Sequence, residues 1–115
     1  MLCDDDKDIV TLVQLIVSSM NHELVSITLI TDIVAQTKSE KPALILMDLR
    51  IPEIGGFEAT KLLKQDAATR TIPVILFSAS IDVVKLCEEC GADGYILKPF
   101  ELGEFREKIK KITDN

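Results

Sequence analysis

Short apolar runs alternate with segments of helical periodicity along this chain, and the alternation limits the fold more than any other feature of the sequence. The plainest apolar run is Ala43–Met47, which leads directly into Asp48. An apolar run of this length, bounded by turn residues, is typical of a parallel strand that is buried on both faces. Pro52 and the pair Gly55-Gly56 then break the chain before the next helical pattern begins. We therefore predict a buried strand that ends on a carboxylate.

The same order of strand and helix occurs five times. The predicted strands are Met1–Cys3, Glu23–Leu29, Ala43–Met47, Val74–Ser78 and Tyr95–Leu97. The predicted helices are Asp8–Met20, Thr31–Ser39, Phe57–Gln65, Asp82–Cys90 and the segment from Leu102 to Ile112. This alternation predicts an α/β fold in which a parallel sheet with right-handed crossovers carries helices on both faces.

Local residue types predict the helix ends and the buried helix faces. Thr31 or Thr28 is the expected N-cap of the second helix, and Gly91 is expected to end the fourth helix in the left-handed conformation. Helical spacing predicts a set of inward-facing side chains. They are Ile9, Leu12, Val13, Ile16, Val17 and Met20 in the first helix, Ile33, Val34 and Thr37 in the second, Phe57, Leu62 and Leu63 in the third, Val83, Val84, Leu86 and Cys87 in the fourth, and Leu102, Phe105, Ile109 and Ile112 in the fifth.

Length and composition indicate one globular domain over residues 1–115. No repeat, linker or low-complexity segment divides the 115 residues, which suffice for one core. The net charge of −6 argues against direct binding of nucleic acid, because such binding depends on Lys and Arg. We find no run that could span a bilayer and no signal peptide, so no membrane partner is expected. The three cysteines form an odd set, which indicates reduced thiols and a cytoplasmic location.

Polar side chains stand at four of the five predicted strand ends. Asp4 and Asp5 follow the first strand, Asp48 the third, Ser78 ends the fourth, and Lys98 follows the fifth. A lone residue of this kind is usually a cap or a solvated side chain. Because parallel strands end at one edge of a sheet, we expect these five side chains to gather there.

Together the five residues suit phosphoryl chemistry. Three neighbouring carboxylates repel one another, and a cation is needed to keep all of them ionised. Mg²⁺ fits such a site because it binds one or two carboxylates and completes its shell with water and phosphate oxygens. Asp48 can then be a nucleophile, with Lys98 as a counter-charge and the Ser78 hydroxyl as a hydrogen-bond donor to a phosphoryl oxygen.

Four segments of the chain resemble the receiver domain of two-component response regulators. They are Asp4-Asp5-Asp6, then Ile45–Asp48 with Pro52 and Gly56, then Val74–Ala79, and finally Gly91–Tyr95 with Leu97–Phe100. The segments match over essentially the whole chain in order and spacing. The resemblance implies a flavodoxin-like three-layer sandwich whose five parallel strands have the order 2-1-3-4-5. It also implies a regulatory domain rather than an enzyme, although one that can promote its own phosphorylation and dephosphorylation.

The resemblance also implies roles for individual residues. Asp48 would be the phosphoacceptor, and Asp4, Asp5, Asp48 and the backbone carbonyl of Arg50 would hold Mg²⁺. Ser78 and Lys98 would contact the phosphoryl group. Ser78 and Tyr95 would form the switch, because a new dianion would draw the Ser78 loop inward and open room for the Tyr95 ring. The Lys98-Pro99 bond resembles the family's cis peptide.

The implied partners follow from the same resemblance. A histidine kinase or a histidine phosphotransfer protein would supply the phosphoryl group from a phosphohistidine. The surface formed by the fourth helix, the fifth strand and the fifth helix would bind a downstream effector protein or domain, or a second copy of the chain in a homodimer.

Several positions depart from the family pattern. Only Met1-Leu2-Cys3 precede the acidic cluster, so we expect either that upstream residues are absent from this sequence, which we prefer, or that the first strand is unusually short. Gly55 predicts a more mobile loop, and Ile30 predicts a shifted or irregular second helix. Arg50 and Ser80 are expected to set phosphorylation and dephosphorylation rates.

Other interpretations remain open at this point. Cys87 and Cys90 form a C-x-x-C pair, but they lie within a predicted helix, and neither Cys3 nor His22 obviously completes a zinc site. The chain could be a pseudo-receiver that only binds partners. It could also be a phosphatase with an aspartyl nucleophile, although such enzymes carry a second Asp where this chain has Arg50.

Overall fold

Five strands and five helices alternate along the chain, as the sequence pattern predicts. The structure is a computed structural model and describes residues 1–51 and 54–113. Pro52, part of the predicted break after the third strand, lies outside these residues. The elements are β1 (Leu2–Cys3), α1 (Lys7–Ser19), β2 (Ser26–Ile27), α2 (Ile33–Glu40), β3 (Ile45–Asp48), α3 (Gly56–Gln65), β4 (Val74–Ser78), α4 (Val83–Cys90), β5 (Gly94–Leu97) and α5 (Leu102–Thr113).

The strands form one parallel sheet in the order β2-β1-β3-β4-β5, which confirms the predicted fold class and strand order. Its two central ladders are β1 with β3 and β3 with β4. Leu2 pairs with Leu46 and Ser26 across β1, and Asp48 pairs with Phe77 across β3 and β4. Every connection from one strand to the next carries a helix, because parallel neighbours cannot be joined by a tight turn.

Helices cover both faces of the sheet and divide the core in two. The helices α1 and α5 pack with Leu2, Leu46, Phe77 and other residues on one face. The helices α2, α3 and α4 pack with Cys3, Met47 and others on the opposite face. Strand side chains alternate between these faces. Phe77 pairs with Asp48 on one side and with Ile96 on the other, so all three share the face that carries α1 and α5.

Strands β1 and β2 are the shortest, with two residues each. The predicted second strand, Glu23–Leu29, was too long, because only Ser26–Ile27 pairs with β1. The chain around β1 continues the ladder beyond the strand. The Leu2 amide donates to Val25 O at 2.8 Å, and the Met1 carbonyl accepts from Leu46 N at 2.8 Å.

The structure contradicts the predicted N-cap of α2 and confirms the predicted end of α4. The N-cap of α2 is Asp32, whose carboxylate accepts from Ala35 N at 3.1 Å, so the prediction of Thr31 or Thr28 was wrong. An ionised carboxylate is a stronger acceptor at the positive end of a helix than a hydroxyl. Gly91 follows α4 with φ of +80° and donates its amide to Cys87 O, which confirms its predicted left-handed conformation.

Four predicted inward side chains are exposed instead. Leu12, Leu62 and Val84 have 43%, 40% and 39% of their surface exposed, since each stands beside a buried stripe rather than on it. Leu102 is 52% exposed at the first position of α5.

The cysteine pair, Cys87 and Cys90, lies on the buried side of α4. Burial raises the pKa of both thiols, and it raises the pKa of Cys3 to about 12. Among the described residues, no helix has the length and apolar character needed to cross a membrane.

Candidate functional site

The carboxyl edge of the sheet brings an acidic cluster together. Asp4 and Asp5 follow β1, and Asp48 is the last residue of β3. One carboxylate oxygen from each of the three lies within 4.8 Å of the others. Asp4 and Asp48 are buried, whereas Asp5 is exposed, so the cluster opens to solvent on one side. Three converging carboxylate oxygens are the kind of ligands that a hard divalent cation prefers.

Lys98 places its ammonium group between the two buried carboxylates. The Lys98 Nζ atom lies 3.2 Å from Asp4 Oδ2 and 3.2 Å from Asp48 Oδ1. Lys98 follows β5, and its amide donates to Ser78 O at 2.8 Å, which extends the ladder between β4 and β5. Its peptide bond to Pro99 is cis, as the resemblance implied. A single ammonium cannot neutralise three carboxylates, so the cluster keeps a net negative charge.

The Lys98 ammonium offsets only part of the effects that raise the pKa of Asp48. Burial raises the pKa of the Asp48 carboxyl above its ordinary value. The Lys98 ammonium lowers the pKa, and the neighbouring Asp4 carboxylate raises it again. The Arg50 backbone N–H also donates a hydrogen bond to the Asp48 carboxylate, which favours the ionised form. The site therefore keeps a buried carboxylate whose charge a further cation would stabilise.

Two other residues singled out from the sequence, Ser78 and Tyr95, lie on the neighbouring strands β4 and β5. Ser78 ends β4 and is buried, and its hydroxyl oxygen accepts from Ser80 N at 3.0 Å. Over residues 1–51 and 54–113, Ser78 Oγ has no hydrogen bond to Asp4, Asp48 or Lys98. Tyr95 is partly buried on the opposite face of the sheet. The Lys108 ammonium lies 4.7 Å from the centre of its ring and donates to the Tyr95 carbonyl.

Two further residues, Gly56 and Phe77, contribute to the site in ways that the sequence analysis did not predict. Gly56 begins α3, and a Cβ atom there would lie 2.2 Å from the backbone oxygen of Asp48. Glycine is required at this position because only a residue without a Cβ atom allows the two backbone segments to lie so close together. Phe77 lies directly beside the site, with its ring centre 4.6 Å from Lys98 Nζ. Phe77 pairs with Asp48 on the same sheet face, through a strand register that local residue types do not determine.

Known proteins that are similar to this chain belong to two-component signalling. The family described as "Response regulator receiver domain" matches residues 1–110. The chain is 30% identical over 115 residues to the alkaline phosphatase synthesis transcriptional regulatory protein PhoP of Bacillus subtilis, covering 97% of this chain and 47% of that protein. It is 42% identical over 76 residues to histidine kinase P4 of Formosa agariphila, covering 64% of this chain and 6% of that protein. The chain thus spans half or less of these two relatives.

Solved receiver domains have the same fold. The BeF3-activated receiver domain of RstA from Klebsiella pneumoniae superposes with a TM-score of 0.89 at 22% identity, covering 99% of this chain and 97% of that chain. The receiver domain of sensor histidine kinase PA1611 from Pseudomonas aeruginosa has a TM-score of 0.79 at 22% identity, with 99% and 96% covered, and its crystal structure holds a magnesium ion in the active-site cleft. By sequence and by fold, this chain belongs to the response regulator receiver domains, a regulatory family of two-component signalling rather than a classical enzyme family.

Proposed function

We propose that this chain is a phosphorelay receiver that accepts a phosphoryl group on Asp48 in a Mg²⁺-dependent reaction. The observation that carries the proposal is the meeting of three carboxylates and one ammonium at the carboxyl edge of the sheet. Receiver domains pair with histidine kinases. We therefore propose a phosphohistidine on a histidine kinase or a histidine phosphotransfer protein as the phosphoryl donor.

The reaction needs one bond to form and one to break. An Asp48 carboxylate oxygen attacks the phosphorus, the P–N bond of the phosphohistidine breaks, and the imidazole leaves with its electron pair. Lys98 already lies 3.2 Å from Asp48 Oδ1, so its ammonium can offset charge on the phosphoryl oxygens. The Ser78 hydroxyl would donate a hydrogen bond to one of these oxygens. In the structure, that hydroxyl accepts from Ser80 N at 3.0 Å.

The donor set fits a magnesium ion. Asp4, Asp5, Asp48 and the Arg50 carbonyl would hold it, and all of these are the hard oxygen ligands that Mg²⁺ prefers. When bound, the ion supplies positive charge that keeps the carboxylates ionised and stabilises phosphoryl oxygens. The magnesium ion in the PA1611 receiver domain supports this assignment.

We propose that phosphorylation is read out through Ser78 and Tyr95. The phosphoryl group would draw Ser78 and its loop inward and shift the Tyr95 ring, which alters the surface formed by α4, β5 and α5. A downstream effector or a second copy of this chain would bind there. Residues 1–115 would act as a single receiver domain, and the cytoplasmic location stays a prediction.

The test is intact mass spectrometry after incubation with Mg²⁺ and acetyl phosphate. The wild-type chain should gain one phosphoryl group, and Asp48→Asn should gain none. The matched control Asp82→Asn, which replaces an exposed carboxylate before α4, should be phosphorylated like the wild type. Chelation of Mg²⁺ with EDTA should prevent the modification.

An unchanged wild-type mass, or a gain that persists in Asp48→Asn, would contradict the proposal. An unchanged mass combined with no measurable Mg²⁺ binding would favour the pseudo-receiver instead. Steady hydrolysis of a phosphomonoester that stops in Asp48→Asn would favour the phosphatase. The residue two places after Asp48 is Arg50, which cannot act as the second acid of such an enzyme.

A further inference from the structure

We propose that Phe77 is a positioning residue that holds the Lys98 ammonium against the site carboxylates. The centre of the Phe77 ring lies 4.6 Å from Lys98 Nζ, within the range of a cation–π interaction. The kinetic part of this inference rests on the proposed function, because it concerns the rate at which Asp48 is phosphorylated. The structural part concerns the place of the ammonium and can be tested without phosphorylation.

Strand register places the ring beside the site. Phe77 is paired with Asp48 on one side and with Ile96 on the other, and the three share the sheet face that carries α1 and α5. Lys98 follows Ile96 by two residues, and Asp4 follows Leu2 by two, so strand alternation brings both toward this same face. The ring is therefore the part of the sheet that adjoins the ammonium.

The position of the Phe77 ring is fixed by its neighbours. Phe77 is completely buried, and its ring centre lies 5.3 Å from that of Phe100 in an edge-to-face arrangement. The Phe105 ring lies 5.9 Å from Phe77 and 4.9 Å from Phe100. We call Phe77, Phe100 and Phe105 the aromatic cluster. The aromatic cluster packs between β4 and the first turn of α5. The Phe77 ring therefore cannot turn away from Lys98 without disturbing the packing of the cluster.

The ring and the two carboxylates all contact the end of one flexible side chain, that of Lys98. A lysine has a four-carbon stem and loses much rotamer freedom when its end is held in place. Its ammonium lies 3.2 Å from both Asp4 Oδ2 and Asp48 Oδ1. The negative face of an aromatic ring attracts the same charge, and this attraction is stronger where water is excluded. The Lys98 side chain is only 19% exposed. The ring thus disfavours rotamers in which the ammonium leaves the site for solvent.

The test replaces Phe77 with pentafluorophenylalanine, which nearly keeps the shape of the ring but reverses the sign of its quadrupole. The same replacement at Phe105 is the matched control, because Phe105 belongs to the aromatic cluster and is equally buried, whereas the cation–π contact found for Lys98 among the described residues is with Phe77. Phe77→Leu, which removes the ring, is a second variant, and Phe105→Leu is its control.

Two measurements separate positioning from packing. The first is the NMR shift of the Lys98 Cε protons in Mg²⁺-free protein, which a ring face moves upfield. The second is the rate of phosphorylation by acetyl phosphate at saturating Mg²⁺. We expect the fluorinated Phe77 variant to lose the upfield shift and to react about 3- to 10-fold more slowly than wild type. The fluorinated Phe105 control should keep both properties to within about twofold.

An upfield shift that persists in the fluorinated Phe77 protein would overturn the proposal, as would a rate equal to that of the Phe105 control. If the wild-type chain is not phosphorylated at all, the proposed function fails, and the NMR comparison alone decides whether the ring positions Lys98. If the Phe77→Leu protein does not fold, the fluorinated pair still gives the answer.

Discussion

At the scale of single residues, Asp48 combines a reactive role with a cost in stability. The Asp48 residue is 6% exposed and lies beside Asp4, which is 1% exposed. Burial raises the pKa of Asp48 although Lys98 opposes that shift. A folded-state pKa above the unfolded value means that ionisation of Asp48 favours the unfolded chain. The proposed phosphoacceptor is therefore held in its reactive form at the expense of folding free energy.

The cost of the buried Asp48 carboxylate leads to a prediction for Asp48→Asn in the absence of Mg²⁺. The substitution should raise the free energy of unfolding at pH 7 by about 1 kcal/mol, because a neutral amide replaces an incompletely compensated buried carboxylate. The advantage should shrink as the pH falls through the raised pKa of Asp48, since the wild-type carboxyl then becomes neutral too. Urea denaturation in EDTA at several pH values measures this difference.

Asp82→Asn is the control, because it removes an exposed carboxylate, and we expect no comparable gain from it. An Asp48→Asn protein that is less stable than wild type at pH 7 would show that Lys98 fully compensates the charge. A gain that is independent of pH would also contradict the electrostatic explanation.

The sequence alone predicted which residues gather at the sheet edge, but only part of how they interact. Asp4, Asp5, Asp48 and Lys98 were predictable because each stands at the end of an apolar run, and parallel strands share one carboxyl edge. The contact of Lys98 with Phe77 was not predictable in this way. It depends on strand register and on a lysine rotamer, and neither can be determined from local residue types.

At the scale of elements, the first residue of α3, Gly56, lies close to the backbone at the end of β3. A Cβ atom on Gly56 would lie 2.2 Å from Asp48 O and 2.9 Å from Leu49 Cα. Both atoms belong to the backbone, so no side chain can yield. Gly56→Ala should therefore displace the end of β3 and lower the free energy of unfolding by about 1–3 kcal/mol or more. Thermal or urea denaturation measures the loss.

Gly103→Ala is the matched control for this substitution. Gly103 lies in the first turn of α5, and a Cβ atom there would meet nothing within 4 Å. Alanine favours the helix over glycine, so the control should gain about 0.5 kcal/mol. Equal stability of the two variants would mean that the backbone of Asp48 and Leu49 can move away from residue 56 without cost.

A second prediction at this scale concerns a lysine that ties elements together at the opposite edge of the sheet. Lys64, near the end of α3, donates to Asp93 Oδ2 at 2.7 Å and to Ile72 O at 2.9 Å. The same Asp93 oxygen accepts from Val74 N at 2.8 Å. Lys64→Met should lower the free energy of unfolding by about 1 kcal/mol, because the partly buried Ile72 carbonyl and the half-exposed Asp93 carboxylate lose their donor.

Lys85→Met is the control for Lys64→Met. Lys85 makes an exposed ion pair with Glu89 at 3.9 Å, with 80% of the Lys85 side chain exposed. Its loss should change the free energy of unfolding by less than about 0.5 kcal/mol. If urea denaturation shows similar losses in both variants, the Lys64 contacts do not stabilise the fold as described.

Element types were predictable from the sequence, whereas element lengths near the sheet edge were not. The strands β3 and β4 are continuous apolar runs, and their predicted positions hold to within two residues. The strand β2 is short and only partly buried, so periodicity gave little guidance to its ends. The α2 N-cap was missed because Thr31 and Asp32 are adjacent and both are suitable caps.

At the scale of the whole molecule, the sheet separates two cores that meet different parts of the site. The face with α1 and α5 carries Asp48 and Phe77, and the face with α2, α3 and α4 carries Tyr95. The proposed phosphorylation at the shared edge would therefore take place where the two faces meet. Alternating strands and helices predicted a parallel sheet, but the strand order 2-1-3-4-5 came from the resemblance to receiver domains. Periodicity does not determine which strands are neighbours.

The central claim is that Asp48 receives the phosphoryl group, and the most direct measurement locates that group in the chain. An aspartyl phosphate is an acyl phosphate, and borohydride reduces it to homoserine with release of phosphate. Wild-type protein phosphorylated with acetyl phosphate and Mg²⁺ should be reduced, digested and mapped by tandem mass spectrometry. We predict homoserine at position 48 and none at Asp4, Asp5 or Asp82. Homoserine at another aspartate, or unmodified Asp48 in protein that has gained a phosphoryl group, would contradict the account.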